Sequence, residues 1–131
     1  MSVAEPPSSD QLSIKTRTYR RTALVEVRGE LDLCTRPQVA DVLDDLKPEP
    51  GTVRHVVLDL RGLTFMDAQG AHELVKQADF ARENHHNFAV VKGREDIQRV
   101  LELTAAERRL VLVDEPEDLA PPQALHADAQ P

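Results

Sequence analysis

Apolar residues recur along the chain at two spacings, and the changes between them outline the elements. Leu12 to Tyr19 and Thr22 to Val27 alternate at period two, the second with Ala23, Val25 and Val27 on one side. Arg20-Arg21 between them predicts a turn, and strands joined so closely pair antiparallel. The many polar positions of the first run place it at a sheet edge. Gly29-Glu30-Leu31-Asp32 then reads as a loop carrying two acids. Val39, Val42, Leu43 and Leu46 fall at i, i+3, i+4 and i+7, the stripe of a helix lying on a sheet. Thr35-x-x-Gln38 starts that helix as a capping box, Pro37 is tolerated in its first turn, and Pro48-Glu-Pro-Gly51 ends it.

Val53 to Leu60 is apolar at nearly every position from Val56, as a parallel strand covered on both faces should be. The stretch Val56 to Gly70 organises the rest. The spacing predicts a strand, a turn at Arg61-Gly62, burial of Leu63, Phe65 and Met66, and then Asp67 capping a helix. That helix carries Ala71, Leu74, Val75, Ala78 and Ala81 on one stripe and ends near Asn84, a residue suited to the left-handed exit conformation. Phe88 to Val91 is a short buried strand, and Gly93 turns the chain into a helix over Glu95–Leu103. This helix buries Ile97, Val100 and Leu101, with Leu103 at the margin of the stripe; Leu110 to Val113 is the last strand. Asp114-x-x-Glu117 signals a further helix start that Pro121-Pro122 would stop. The order β-β-α-β-α-β-α-β, with that short final helix in addition, describes an α/β domain. Its sheet is mixed and mostly parallel, with the opening strand antiparallel.

Length and composition narrow the picture. At 131 residues the chain fits one domain, expected over 11–120. A disordered Pro/Ser-rich, acidic tail is expected over 1–10 and a flexible tail over 121–131. The net charge of −7 argues against direct nucleic-acid binding, which needs a basic footprint. Acidic solubility and a basic partner both fit it. Cys34 is the single cysteine and cannot close an internal disulfide, so a cytoplasmic location is expected. No apolar run approaches the roughly 18 residues of a membrane span.

Few residues suggest catalysis. His85-His86 sits at a helix exit, where adjacent residues do not share a face and no further ligands gather, so no metal site is expected. Cys34 precedes a helix start, where a thiol pKa can fall, although a small apolar side chain explains it more simply. The glycines are scattered and form no phosphate loop, and three of the four serines lie in the N-terminal tail. Val56-Val-Leu-Asp-Leu looks superficially like the acceptor strand of a receiver domain. The only Asp pair, Asp44-Asp45, falls within a helix, and no lysine follows Val113. No enzyme activity and no cofactor are expected. The chemically notable place is the helix start after Asp67, whose outward N–H groups suit an anion or an acidic side chain of a partner.

Three segments together resemble the STAS-domain family, specifically the bacterial anti-sigma-factor antagonists. They are Gly29-Glu-Leu-Asp32, then Val56-Val-Leu-Asp-Leu with Leu63-Thr-Phe-Met-Asp67 and Gly70, and finally Val100-Leu-Glu-Leu-Thr104. The resemblance covers about Leu12 to Leu119 and implies the mixed sheet already read from the pattern. It implies a regulatory protein that docks on an anti-sigma factor, often itself a serine kinase, and so releases a sigma factor. The kinase would then phosphorylate a hydroxyl at the start of the second helix. It also implies that the first loop and that helix start approach each other. Glu30, Asp32, Asp67, Gln69 and Gly70 become the expected partner contacts.

One departure stands out. The family's Asp-Ser-Ser-Gly or Asp-Ser-Thr-Gly is here Asp67-Ala68-Gln69-Gly70, so the acceptor position is Gln69 and no hydroxyl is present. Ala105-Ala106 also replaces the usual Gly-containing turn after the third helix. Asp67 is explained as well by capping alone, worth about 1 kcal/mol, as by partner contact. The alternative is a STAS module in a stress-sensing assembly or a transport system.

Overall fold

A computed structural model describes residues 11–46 and 53–115. The expected tails, the Pro48–Gly51 helix stop and Glu117 lie outside the described residues. Five strands, β1 (Leu12–Tyr19), β2 (Thr22–Leu31), β3 (His55–Met66), β4 (Asn87–Val91) and β5 (Val111–Val113), form one sheet in the order β1-β2-β3-β4-β5. β1 runs antiparallel to β2, and every other neighbour pairs parallel, as the pattern predicts. The crossovers are α1 (Arg36–Asp45), α2 (Ala68–Glu83) and α3 (Glu95–Leu103), and a short 3-10 turn, Ala106–Arg109, precedes β5. α1 touches α2 and α2 touches α3, so the three helices share one face of the sheet. Right-handed crossovers between successive neighbouring strands lead to that arrangement.

The core is aliphatic. Val25, Val27, Leu58, Leu60 and Val90 from the sheet pack with Val39, Leu43, Leu74, Ile97 and Leu101 from the helices. Each such side chain contributes roughly 1.5–3 kcal/mol by leaving water. The stripes expected on α1 and α2 point inward, with Val42, Leu46 and Val75 only partly buried at their margins.

The stretch around Arg61-Gly62 differs from expectation. β3 does not turn there but continues as a single 12-residue strand. Nor is Gly29-Glu30-Leu31 a loop, because β2 extends through it, pairing Gly29 with Leu63, Glu30 with Phe65 and Leu31 with Met66. The register slips between Glu26 and Arg28 and again between Gly29 and Glu30, so β3 carries two extra residues there. The glycine that suggests a turn therefore marks bulged strand, where extra residues re-aim side chains. Buried Leu63 and Met66 consequently stand three apart, and Phe65 faces outward at 48% exposure instead of joining the core. Gly29 has φ of 104°, and a Cβ there would lie 2.0 Å from the Gln11 carbonyl oxygen, so only glycine fits.

Three smaller expectations also give way. Leu103 is 75% exposed, past the buried edge of its helix. At the end of α2 the left-handed residue is His85, with φ of 63°, while Asn84 has φ of −108°. The His86 N–H returns to the Ala81 carbonyl and the His85 N–H to that of Arg82, the paired bonds of a Schellman exit. Asn84 instead donates from Nδ2 to the Phe80 carbonyl at 2.8 Å. Thr35 stands at the start of α1 but its side chain does not cap that helix. Its hydroxyl donates to the Glu30 carbonyl at 2.8 Å and accepts from the Asp32 N–H at 2.9 Å.

Candidate functional site

The end of β3 delivers Asp67 to the first turn of α2 in an extended conformation, and one carboxylate oxygen accepts from the Gly70 N–H at 2.9 Å. This is the expected cap. The other oxygen accepts from the Leu33 N–H at 3.3 Å, and the Asp67 N–H donates to the Leu31 carbonyl at 3.2 Å. The turn between β2 and α1 is thereby tied to the start of α2, the approach that the resemblance implies. At this helix start the Gly70 N–H is thus taken by the carboxylate of Asp67 itself.

Asp32 shapes that turn. Its Oδ1 accepts from the N–H groups of Cys34 at 2.9 Å and Thr35 at 3.0 Å, an Asx-type turn that fixes where Leu33 and Cys34 project. Glu30 lies half-buried in β2 opposite Phe65. Gln69 is exposed, and its Oε1 accepts from Arg36 Nη1 at 2.6 Å. Gly70, by contrast, is buried: a Cβ there would sit 2.5 Å from the Leu31 carbonyl oxygen and 2.8 Å from Met66 Cγ. It lets α2 close on β2 rather than presenting itself at the surface. Glu30, Asp32, Asp67 and Gln69 are thus brought around one corner, with Gly70 beneath them.

Several neighbours escape a reading based on periodicity. Leu33, 60% exposed, and Phe65 lie in the two segments that meet at this corner and give it apolar area among the carboxylates. Arg36 spans from α1 to α2, donating from Nε to Glu73 Oε1 at 3.1 Å. Glu73 is only 2% exposed, and its second oxygen accepts from Gln77 Nε2 at 2.7 Å. Both carboxylate oxygens are therefore satisfied, as burial of a charge requires. The spacing of Glu73 and Gln77 at i, i+4 is the sequence signal that could have found the pair.

The other candidate groups have structural roles. Asp59, 5% exposed, accepts from Arg61 Nε at 3.0 Å and Nη2 at 2.8 Å, and also from the Arg61 backbone N–H. Burial alone would raise its pKa. The hydrogen bonds from Arg61, with the charges of Arg61 and Arg28, outweigh that and hold it below the ordinary carboxylate value. Cys34 is an exposed free thiol. Among the described residues, no three His, Cys, Asp or Glu side chains gather as a metal site, and no helix is long and apolar enough to cross a membrane.

The STAS domain family model matches residues 13–119. An anti-sigma-B factor antagonist of Staphylococcus epidermidis is 31% identical over 93 residues, covering 71% of this chain and 84% of that protein. The unphosphorylated form of the anti-sigma factor antagonist SpoIIAA superposes with a TM-score of 0.67 at 15% identity, covering 88% of this chain and 97% of that one. The murine anion transporter Slc26a9 contains a similar region, with a TM-score of 0.63 at 16% identity over 87% of this chain and 19% of the transporter. Both structural likenesses speak for the fold alone. With most of its length matched, its strand order as expected and its β3–α2 corner in place, the chain belongs to the STAS-domain family.

Proposed function

We propose that this protein is an anti-sigma-factor antagonist acting in the cytoplasm, binding an anti-sigma factor and thereby releasing a sigma factor. The observation that carries the reading is the similarity, over most of the chain, to a staphylococcal protein named as an anti-sigma-B factor antagonist. The docking surface is the corner where Asp67 ties the β2–α1 turn to α2. Leu33 and Phe65 supply its apolar contact, and Glu30, Asp32, Asp67 and Gln69 its polar part. Its work is binding rather than catalysis.

The switch differs from the one implied by the resemblance. Ala68 and Gln69 have no hydroxyl, so a serine kinase cannot place a phosphate at the usual position. The Gln69 carbonyl is instead occupied by Arg36. Binding is then constitutive or set by the amount of protein, without a phosphate at this position. Titration of the purified chain against the anti-sigma factors of its source genome tests this. One should bind and give up its sigma factor, and Asp67→Lys should weaken that binding at least tenfold. Failure of every anti-sigma factor to bind, or full affinity in Asp67→Lys, removes the reading.

A second reading is the alternative that the motifs leave open, a STAS module within a stress-sensing assembly or a transport system. Native mass spectrometry of complexes from the source cell distinguishes it, since the chain would then travel with that assembly or with a membrane protein.

A further inference from the structure

A groove of about 660 Å³ runs between the first two turns of α2 and the turn that follows α3. Val75, Ala105 and Ala106 give it apolar walls, His72, Arg108 and Arg109 border it, and Gln69 stands at its edge. Gln69 therefore belongs both to the groove and to the corner formed with Asp67.

The charge around the groove is opposite to that of the molecule. The chain has 23 acidic against 16 basic residues, yet no carboxylate lines this groove. Arg109 donates to Asp79 at 2.6 Å, a carboxylate that it shares with Arg82. Arg108 has no acidic partner among the described residues, and it is exposed. Glu107 precedes it in the chain but does not line the groove. An apolar trough with one uncompensated guanidinium favours a segment with an apolar side chain and a carboxylate. Arginine is well suited to hold a carboxylate in two parallel hydrogen bonds.

We propose that the docking surface continues past Gln69 into this groove, which receives an acidic, partly apolar segment of the anti-sigma factor, with a carboxylate on Arg108. The proposal rests on the docking reading above and adds a second contact region to it. It makes Arg108 a specificity residue: anti-sigma factors without an acid at the matching place bind less well. A second copy of this chain is the competing occupant.

The test titrates wild type, Arg108→Glu, Arg108→Lys, Asp67→Lys and the control Lys15→Glu with the anti-sigma factor that the wild type binds, at low and high salt. Lys15 is exposed on β1 and changes the net charge by the same amount as Arg108→Glu. The expected result is at least tenfold weaker binding for Arg108→Glu and partial recovery in Arg108→Lys, which keeps the charge but not the paired hydrogen bonds. Lys15→Glu should bind as the wild type does. The salt dependence should shrink in Arg108→Glu, because an ion pair has been removed. Wild-type affinity in Arg108→Glu together with loss in Asp67→Lys overturns the groove while leaving the corner as the docking surface. Full affinity in both variants, or no binding by the wild type, overturns both. Sedimentation of the wild type as a dimer that Arg108→Glu dissociates assigns the groove to a second copy and overturns the proposal.

Discussion

The Arg36 guanidinium reaches Glu73 across 3.1 Å, joining the first turn of α1 to a carboxylate that is only 2% exposed. Arg36 is still partly exposed, so the pair is asymmetric: the acid has left water more completely than the base. Removing the acid leaves the Gln77 amide without its acceptor and Arg36 with only Gln69. Glu73→Ala should therefore lower stability by about 3 kcal/mol, the low end for breaking a buried pair. The double replacement Arg36→Met with Glu73→Leu should lose less, because neither charge is then stranded. Urea denaturation of the three proteins measures the difference, and a double variant no more stable than Glu73→Ala would contradict it.

Asp67→Ala should destabilise by roughly 1 kcal/mol through loss of the cap. Its second effect is local: the Leu33 N–H loses its acceptor and the β2–α1 turn loosens from α2. Amide exchange at Leu33 should quicken by more than the change in global stability explains. Protection of that amide equal to wild type would show that the tie does not hold the turn.

Gly70→Ala should cost about 1–3 kcal/mol, since the added methyl meets a backbone oxygen that cannot rotate away. Thermal or urea unfolding measures this without any partner present. A neutral effect would mean that α2 can shift off β2 at no cost, and the site geometry would need revision.

Gln69→Ser removes one of the two side-chain acceptors of Arg36, leaving Glu73, and supplies a hydroxyl at the start of α2. Incubated with ATP and an anti-sigma factor that is a serine kinase, the variant should take up phosphate at position 69 where the wild type takes up none. Mass spectrometry of the intact protein reads the outcome. Absence of label would mean that this surface no longer fits a kinase active site.

Acid should destabilise the fold in two ranges. His55 lies below its ordinary value of 6.5 because burial disfavours its charged form and Arg54 and Arg21 repel it. His86 is lowered by burial, Arg54 and His85. Both are held neutral in the fold, so the unfolded chain binds protons first as pH drops below 6.5, and stability falls until pH passes the native values. Asp59 acts lower down. Its native value lies below the ordinary 3.8, so its contribution is complete above 3.8 and is lost as pH falls through the native value. Urea midpoints across pH should show both declines, and Asp59→Asn should retain the first while losing the second.

The fold was legible because its helices and strands keep clean apolar rhythms, as on the buried stripe of α2. The misreadings at Arg61-Gly62 and Gly29-Glu30-Leu31 share one cause. A bulge and a turn carry the same local signal, a glycine among polar residues, and only pairing between β2 and β3 decides between them. That pairing brings together residues some 35 positions apart, which no local window contains. It also turns Phe65 outward. At the site, Asp67 announced itself as a cap. The tie to Leu33, the span of Arg36 and the groove beside Arg108 depend on how α1, α2 and the turn after α3 pack together. Glu73 shows the limit most clearly: an acid beside an apolar stripe reads as surface until its arginine arrives from another helix.

The strand order β1-β2-β3-β4-β5 has a consequence for assembly. Each strand's neighbour in the sheet is also the next strand in the chain, so no ladder waits for a segment from the far end. The largest gap closed between pairing strands is one crossover, and closure costs rise only slowly with loop length. The corner around Asp67 is built from β2, α1, β3 and α2, which follow one another in the chain between Thr22 and Glu83. Every residue of that corner is therefore present in the growing chain before the short last strand emerges to take its place at the sheet edge.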